Sequence, residues 1–186
     1  MVDKIKAMAW FIIIIMSLSI LGFVGGSFFT AAATYEGDTE NYNGNILFKS
    51  SSSWSINSNG QWYYFDNHPK DLESIALPID PLTWLGTPKL YIAYKPNDTI
   101  DVVQQMSQLS SMFGQYGTRI QQSCTTEEGC PDIPLIKCDS PGVIFQSADS
   151  TAIIQEQECL TLNAANDEDM QKLTERLIYR FLGVMS

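Results

Sequence analysis

Histidine occurs once in this chain of 186 residues, at His68. A single imidazole excludes a multi-histidine metal site, which needs two or three such ligands. It leaves one residue to serve as the base of a Ser-His-Asp triad, and no Gly-x-Ser-x-Gly elbow accompanies it. Asn67-His68-Pro69 reads as a turn, so a structural histidine is expected. Basic residues are scarce as well: 11 Lys and Arg stand against 21 Asp and Glu, a net charge of −10. Asp3, Lys4 and Lys6 are the only charges before residue 34, so the remainder is more acidic still. Such a surface repels phosphate backbones and anionic headgroups, which excludes nucleic acid and leaves a preference for cationic partners.

Phosphate-binding glycine loops are missing too, because no G-x-x-x-x-G-K occurs and Gly25-Gly26 falls inside an apolar run. The four cysteines Cys124, Cys130, Cys138 and Cys159 contain no C-x-x-C pair, which removes the standard redox dithiol. Their spacing does not form the paired knuckles of a four-thiolate zinc site either. Glycosidase chemistry needs two carboxylates across a cleft. The acid pairs Glu127-Glu128 and Glu156 with Glu158 are sequence neighbours, the latter expected on the solvated side of a hairpin. No catalytic residue, metal or cofactor is expected from any of these.

What the chain does have is one long apolar run, residues 7–29, without a charge inside it. A bilayer core of about 30 Å needs roughly 20 such residues as a helix. Lys4 and Lys6 precede the run and Glu36, Asp38 and Glu40 follow it, so the positive-inside bias places residues 1–6 in the cytoplasm. Ala31-Ala32-Ala33 offers a signal-peptide cleavage site, but the run exceeds a typical signal core, which favours a retained signal anchor. Gly22 and Gly26 stand four apart on one helix face, the spacing that lets two membrane helices approach closely. Residues 30–44 are polar and read as a linker. Residues 45–186 then form one extracytoplasmic domain on a cell membrane, next to membrane or envelope proteins.

An even number of cysteines outside the cytoplasm points to two disulfides. Three connectivities exist. Cys124–Cys130 with Cys138–Cys159 is favoured, the first closing a tight loop at Gly129 and Pro131, the second tying the start of one strand to its hairpin partner. A thiol–disulfide enzyme of non-standard spacing, its pair drawn from Cys124, Cys130 and Cys138, is the alternative reading.

Within the domain, 45–50 reads as a strand and 54–65 as a hairpin turning at Asn59-Gly60, a two-residue turn that needs positive φ twice. Trp62 and Tyr64 share one face, Tyr63 and Phe65 the other. With Trp54 they form an aromatic group. It is either core, or, on whichever face stays uncovered, a binding surface. Residues 69–75 suggest a helical turn with Asn67 near its cap. Residues 89–95 read as a strand, followed by a helix starting at Pro96-Asn97-Asp98-Thr99 with Ile100, Val103, Met106, Leu109 and Phe113 as its stripe. The same triplet fits the N-x-[ST] acceptor pattern, with capping as its expected role. Residues 118–123 read as a strand, and 142–147 with 151–162 as a second hairpin about Ala148-Asp149-Ser150. A final helix is capped at Asn166 or Asp167 and carries Met170, Leu173, Leu177, Ile178 and Phe181 to a stop at Gly183.

The fold class expected is α+β. From Lys89 onward the element order resembles a minimal thioredoxin-like core, with Pro141 where that fold places a cis-proline. Its redox dithiol would fall at Lys95-Pro96-Asn97-Asp98, which has no cysteine. The strings Cys138-Asp139, Glu158-Cys159-Leu160 and Arg176-Leu177-Ile178-Tyr179-Arg180-Phe181-Leu182-Gly183 resemble uncharacterised single-pass membrane-anchored proteins of archaea over the C-terminal part of the chain. That resemblance implies no activity and adds support to the Cys138–Cys159 pairing. The expected function is a disulfide-braced domain that binds or scaffolds a partner without catalysis. A hydrolase of cell-envelope material is a further alternative.

Overall fold

Two Asn-Gly turns set the first sheet. In the computed structural model, which describes residues 38–186, Asn43-Gly44 and Asn59-Gly60 all lie at positive φ, between 50° and 83°. Glycine adopts this region freely and asparagine tolerates it, so both are two-residue hairpin turns. The first joins β1 (Thr39–Tyr42) to β2 (Asn45–Ser50), and the second joins β3 (Ser53–Ser58) to β4 (Gln61–Phe65). The result is an antiparallel meander in the order β1-β2-β3-β4. β1 lies within residues 30–44, which the sequence suggested as linker. Only Tyr42 of its four residues is buried, so the strand lacks the apolar alternation that betrays its neighbours. The apolar run 7–29, with Gly22 and Gly26, and residues 30–37 of the linker lie outside the described residues.

Two short 3-10 turns, Pro69–Leu72 and Pro81–Trp84, cross from the first sheet to the second. Each begins with proline, whose missing N–H and fixed φ suit a first helical position. The cap of the first is His68 rather than Asn67: its side chain accepts from the Lys70 N–H.

The second sheet has five strands in the order β6-β5-β7-β9-β8, where β5 is Lys89–Tyr94, β6 Arg119–Cys124, β7 Gly142–Ser147, β8 Ala152–Glu156 and β9 Cys159–Ala164. All its pairings are parallel except β8 with β9. The hairpin turns at Gln157-Glu158 and unites β8 with β9, while β7 lies beside β9 in parallel; Ala148-Asp149-Ser150 is only a connection. Glu156 therefore ends a strand and Glu158 sits in the turn, so they share no strand face. The thioredoxin-like reading fails on strand direction, because that core sets its third strand antiparallel to its first, whereas β7 runs parallel to β5. No cis peptide occurs among the described residues, Pro141 included.

Helix α1 (Val103–Gln115) buries Met106, Leu109, Met112 and Phe113. It starts only at Val103, beyond the Pro96-Asn97-Asp98-Thr99 start that the sequence suggests, and Val103 is 72% exposed instead of in the stripe. Helix α2 (Asp167–Phe181) is capped by Asn166, whose Oδ1 accepts from the Asp169 N–H at 2.9 Å. Asp167, Glu168 and Asp169 occupy its positive end and Arg180 its negative end, each favourable to the helix dipole. Beyond the expected stripe, Thr174, Glu175, Arg176 and Tyr179 are buried too, nine of 15 residues in all. A one-sided surface helix does not bury that much. α2 lies between the two sheets: Phe65 of β4 stacks on Tyr179 with centroids 3.9 Å apart, and other faces of α2 meet β9 and α1. Phe113 of α1 meets Phe181 edge-on at 4.5 Å.

The disulfides are Cys124–Cys130 and Cys138–Cys159. The second joins the segment before β7 to the first residue of β9, its parallel neighbour, rather than two hairpin strands. Cys159, Ala93 and Ile144 form a small apolar cluster on the sheet face away from the helices, with Ile136 and Cys138 against it.

Candidate functional site

Among the described residues β4 is an edge strand, and its register is Ser58↔Gln61, Asn57↔Trp62, Ile56↔Tyr63, Ser55↔Tyr64 and Trp54↔Phe65. A two-residue hairpin closes on a hydrogen-bonded pair, after which bonded and non-bonded pairs alternate. Gln61, Tyr63 and Phe65 therefore bond to β3, whereas Trp62 and Tyr64 aim their main-chain groups out of the sheet. The Tyr64 N–H and C=O have no partner among the described residues. Beside them runs a groove of about 290 Å³ between β4 and α1, with Ser107, Gln108 and Ser111 as its far wall and the buried Ile178 at its base. The Gln108 Oε1 is buried there without a hydrogen-bond partner. Natural sheet edges are usually blunted by lysine or proline, and Gln61-Trp-Tyr-Tyr-Phe65 contains neither.

The five aromatic residues singled out by sequence divide between two faces. Phe65 is 2% exposed and belongs to the core. Trp54 is half-buried, with the His68 ring edge-on at 4.5 Å and the Lys49 Nζ 5.4 Å from its own ring centre. Tyr63 is half-buried, and its hydroxyl bonds to Gln115 at the end of α1. Trp62 and Tyr64 lie on the outer face, where Phe48 meets Trp62 edge-on at 5.1 Å. So Trp62 to Phe65 do line one groove, but through a strand edge rather than a flat aromatic platform, and Trp54 does not reach it. Ser107, Gln108, Ser111 and Ile178 were not foreseen. They carry no motif, and only the packing of α1 and α2 beside β4 brings them to this edge.

Glu175, also unforeseen, is fully buried on α2 and receives four hydrogen bonds. The Asp66 N–H and Gln171 amide donate to Oε1, and the Asn67 N–H and its side-chain amide to Oε2, at 2.7–3.0 Å. Burial pushes its pKa above the usual carboxylate value against the pull of those donors. The carboxylate is saturated and fixes the chain leaving β4. His68 is likewise committed: Nδ1 caps the Pro69 turn, and Nε2 faces the Glu40 carboxylate at 3.4 Å. Burial lowers its pKa, partly offset by Glu40. It is not a free general base.

A second cleft, about 360 Å³, opens beside the Cys138–Cys159 bridge and is lined by Thr125, Lys137, Gln146, Glu156 and Thr161. It is shallow and polar, without a set of converging acids. Among the described residues no group of three or more acids, histidines or cysteines is placed to hold a metal, and no helix is long and apolar enough to cross a membrane. All four cysteines are paired. No family model, curated protein or solved structure matches this chain.

Proposed function

We propose that the chain is a single-pass membrane protein, anchored by residues 7–29 with residues 1–6 in the cytoplasm. Its disulfide-braced extracytoplasmic domain binds an extended segment of a membrane or envelope protein along β4, without catalysis. The observation that carries this reading is the open Tyr64 main chain beside a groove in which Gln108 keeps an unused acceptor. A strand laid in that groove would pair with Tyr64 at a spacing of about 4.8 Å and offer an N–H to Gln108. The acidic balance of the domain favours a neutral or basic segment. The two disulfides are consistent with an oxidising compartment.

The test is a pull-down of the full chain solubilised in mild detergent. Tyr64→Pro deletes the outward N–H while leaving the β3–β4 bonds intact, because proline is tolerated on edge strands. Ser111→Arg fills the groove from the other side. Each variant should reduce partner recovery by about tenfold, the equivalent of about 1.4 kcal/mol. Wild type that behaves as a solitary monomer, or variants that keep the partner, would overturn the reading. The thiol–disulfide alternative would need Cys130 or Cys138 as its reactive sulfur, since Cys124 and Cys159 are fully buried and the half-exposed pair belongs to different bridges. Cysteines permanently oxidised and inert to mild reductant in isolated membranes would end that alternative.

A further inference from the structure

Asn97-Asp98-Thr99 lies between β5 and α1, and the helix-capping role that the sequence favours does not occur. α1 begins at Val103, its N-cap Val102 makes no side-chain bond, and the Val103 N–H is met by Asp101 at 3.0 Å. The triplet is instead a surface turn. Asn97 sits at φ 58° and is exposed, as is Thr99. Neither side chain has a hydrogen-bond partner among the described residues. Asp98 between them is pinned, its Oδ1 receiving the Thr99 N–H at 2.7 Å and its Oδ2 the Ser147 N–H at 2.9 Å. The turn is thus held in place by its middle residue while its two outer residues remain exposed. On one side the Asn97 amide borders the Cys124–Cys130 loop at Gly129, where an added Cβ would fall 2.4 Å from Nδ2. Glycine at that point, itself at φ 75°, is what lets the loop pass this close to the amide nitrogen.

We infer that Asn97 is N-glycosylated. It is the sole N-x-[ST] triplet of the chain with a residue other than proline in the middle. In the modification, the Asn97 Nδ2 attacks the anomeric carbon of a lipid-linked glycosyl phosphate held by a membrane glycosyltransferase. The N–C bond forms, the C–O bond to phosphate breaks, the lipid phosphate leaves, and the amide proton passes to the enzyme's base. The Thr99 hydroxyl is the element that the transferase recognises. The attached glycan would stand beside the Cys124–Cys130 loop, in a connection distant in sequence from β4 and its groove.

This inference rests on the extracytoplasmic placement of the domain, so its test separates the two. The full chain is purified from membranes of its source cell and its mass and glycopeptides are measured. Wild type should carry one glycan at Asn97. Asn97→Gln and Thr99→Ala should lose the added mass completely, and Thr99→Ser should keep it. Gln61→Thr, which completes a triplet at Asn59-Gly60 in an exposed turn of matching φ, reports whether the machinery reaches the domain. Modification at Asn59 with Asn97 bare would overturn the inference and leave the compartment standing. A chain bare at both positions would overturn the inference as well, since no transferase then acts on the domain.

Discussion

Glu175 offers two oxygens to four donors, and an amide in its place would offer one. Glu175→Gln would turn an NH2 toward two of the N–H groups that the carboxylate now satisfies, leaving donors buried and unpaired. Such groups cost about 1–3 kcal/mol each, so a loss of about 2–4 kcal/mol is expected, read as a lower midpoint in chemical unfolding. His68 supplies a pH dependence. Burial makes the folded imidazole hold its proton less tightly than the unfolded chain does, against the opposing pull of Glu40, and Lys70, Asp71 and Glu73 also act on it. A depressed pKa means the stability contribution is complete above the unfolded value of about 6.5 and declines as pH falls through it. Protonation would also put a hydrogen on Nδ1, where the Lys70 N–H already donates. His68→Asn keeps an acceptor for that cap without titrating. Wild type should therefore lose unfolding midpoint between about pH 7.5 and 5.5, while the variant stays nearly flat over that window.

Among the elements, the bridge before β7 has the clearest energetic role. Cys138–Cys159 spans 21 residues and holds the Cys-rich connection to the sheet face opposite α1 and α2. In the chain-entropy account such a loop contributes about 3 kcal/mol, mostly by restricting the unfolded chain. Replacing both residues, Cys138→Ser with Cys159→Ser, should lower the thermal midpoint by a corresponding amount. Reductant should reproduce the fall in wild type and have a smaller effect on the double variant. The parallel pairing beneath this bridge explains why the hairpin expected over residues 142–162 was misplaced. β7 is buried at four successive residues and β9 likewise, so neither shows the alternation that marks a strand with one solvated face. Only β8, at the sheet edge, has one buried residue in five and a polar end.

At the scale of the molecule, α2 is the common wall of two sheets. The main core is one continuous cluster running from Tyr42 and Leu47 in the first sheet, through Leu173 and Tyr179, to Leu160 and Leu162 in the second. A core joined this way should unfold in a single transition. Phe65→Ala tests that, since Phe65 carries the contact of β4 with Tyr179. The cost should be about 3–5 kcal/mol, seen as a lowered midpoint of one transition followed by tryptophan fluorescence. A separate early loss of the first sheet would show instead that the two sheets fold independently. The same arrangement places α1 beside the edge of β4, so the groove exists only as long as α2 holds the sheets together.

Local chemistry made several features legible in the chain. Asn59-Gly60 dictates a hairpin because both positions need positive φ, the 3.6-residue spacing of Met170 to Phe181 dictates α2, and four cysteines after an apolar run dictate two bridges. Asn43-Gly44 held the same turn signal, but a strand with one buried residue gave it no apolar frame. Which strands neighbour one another was beyond local reach, because parallel pairing of β5, β7 and β9 depends on contacts distant in sequence and leaves only uninterrupted apolar runs behind. The burial of Glu175 and Tyr179 was equally hidden, since nothing within α2 announces that a second sheet covers its polar side. The open edge at Tyr64 and the acceptor of Gln108 belong to that class too: each is an ordinary residue until tertiary packing sets one across from the other.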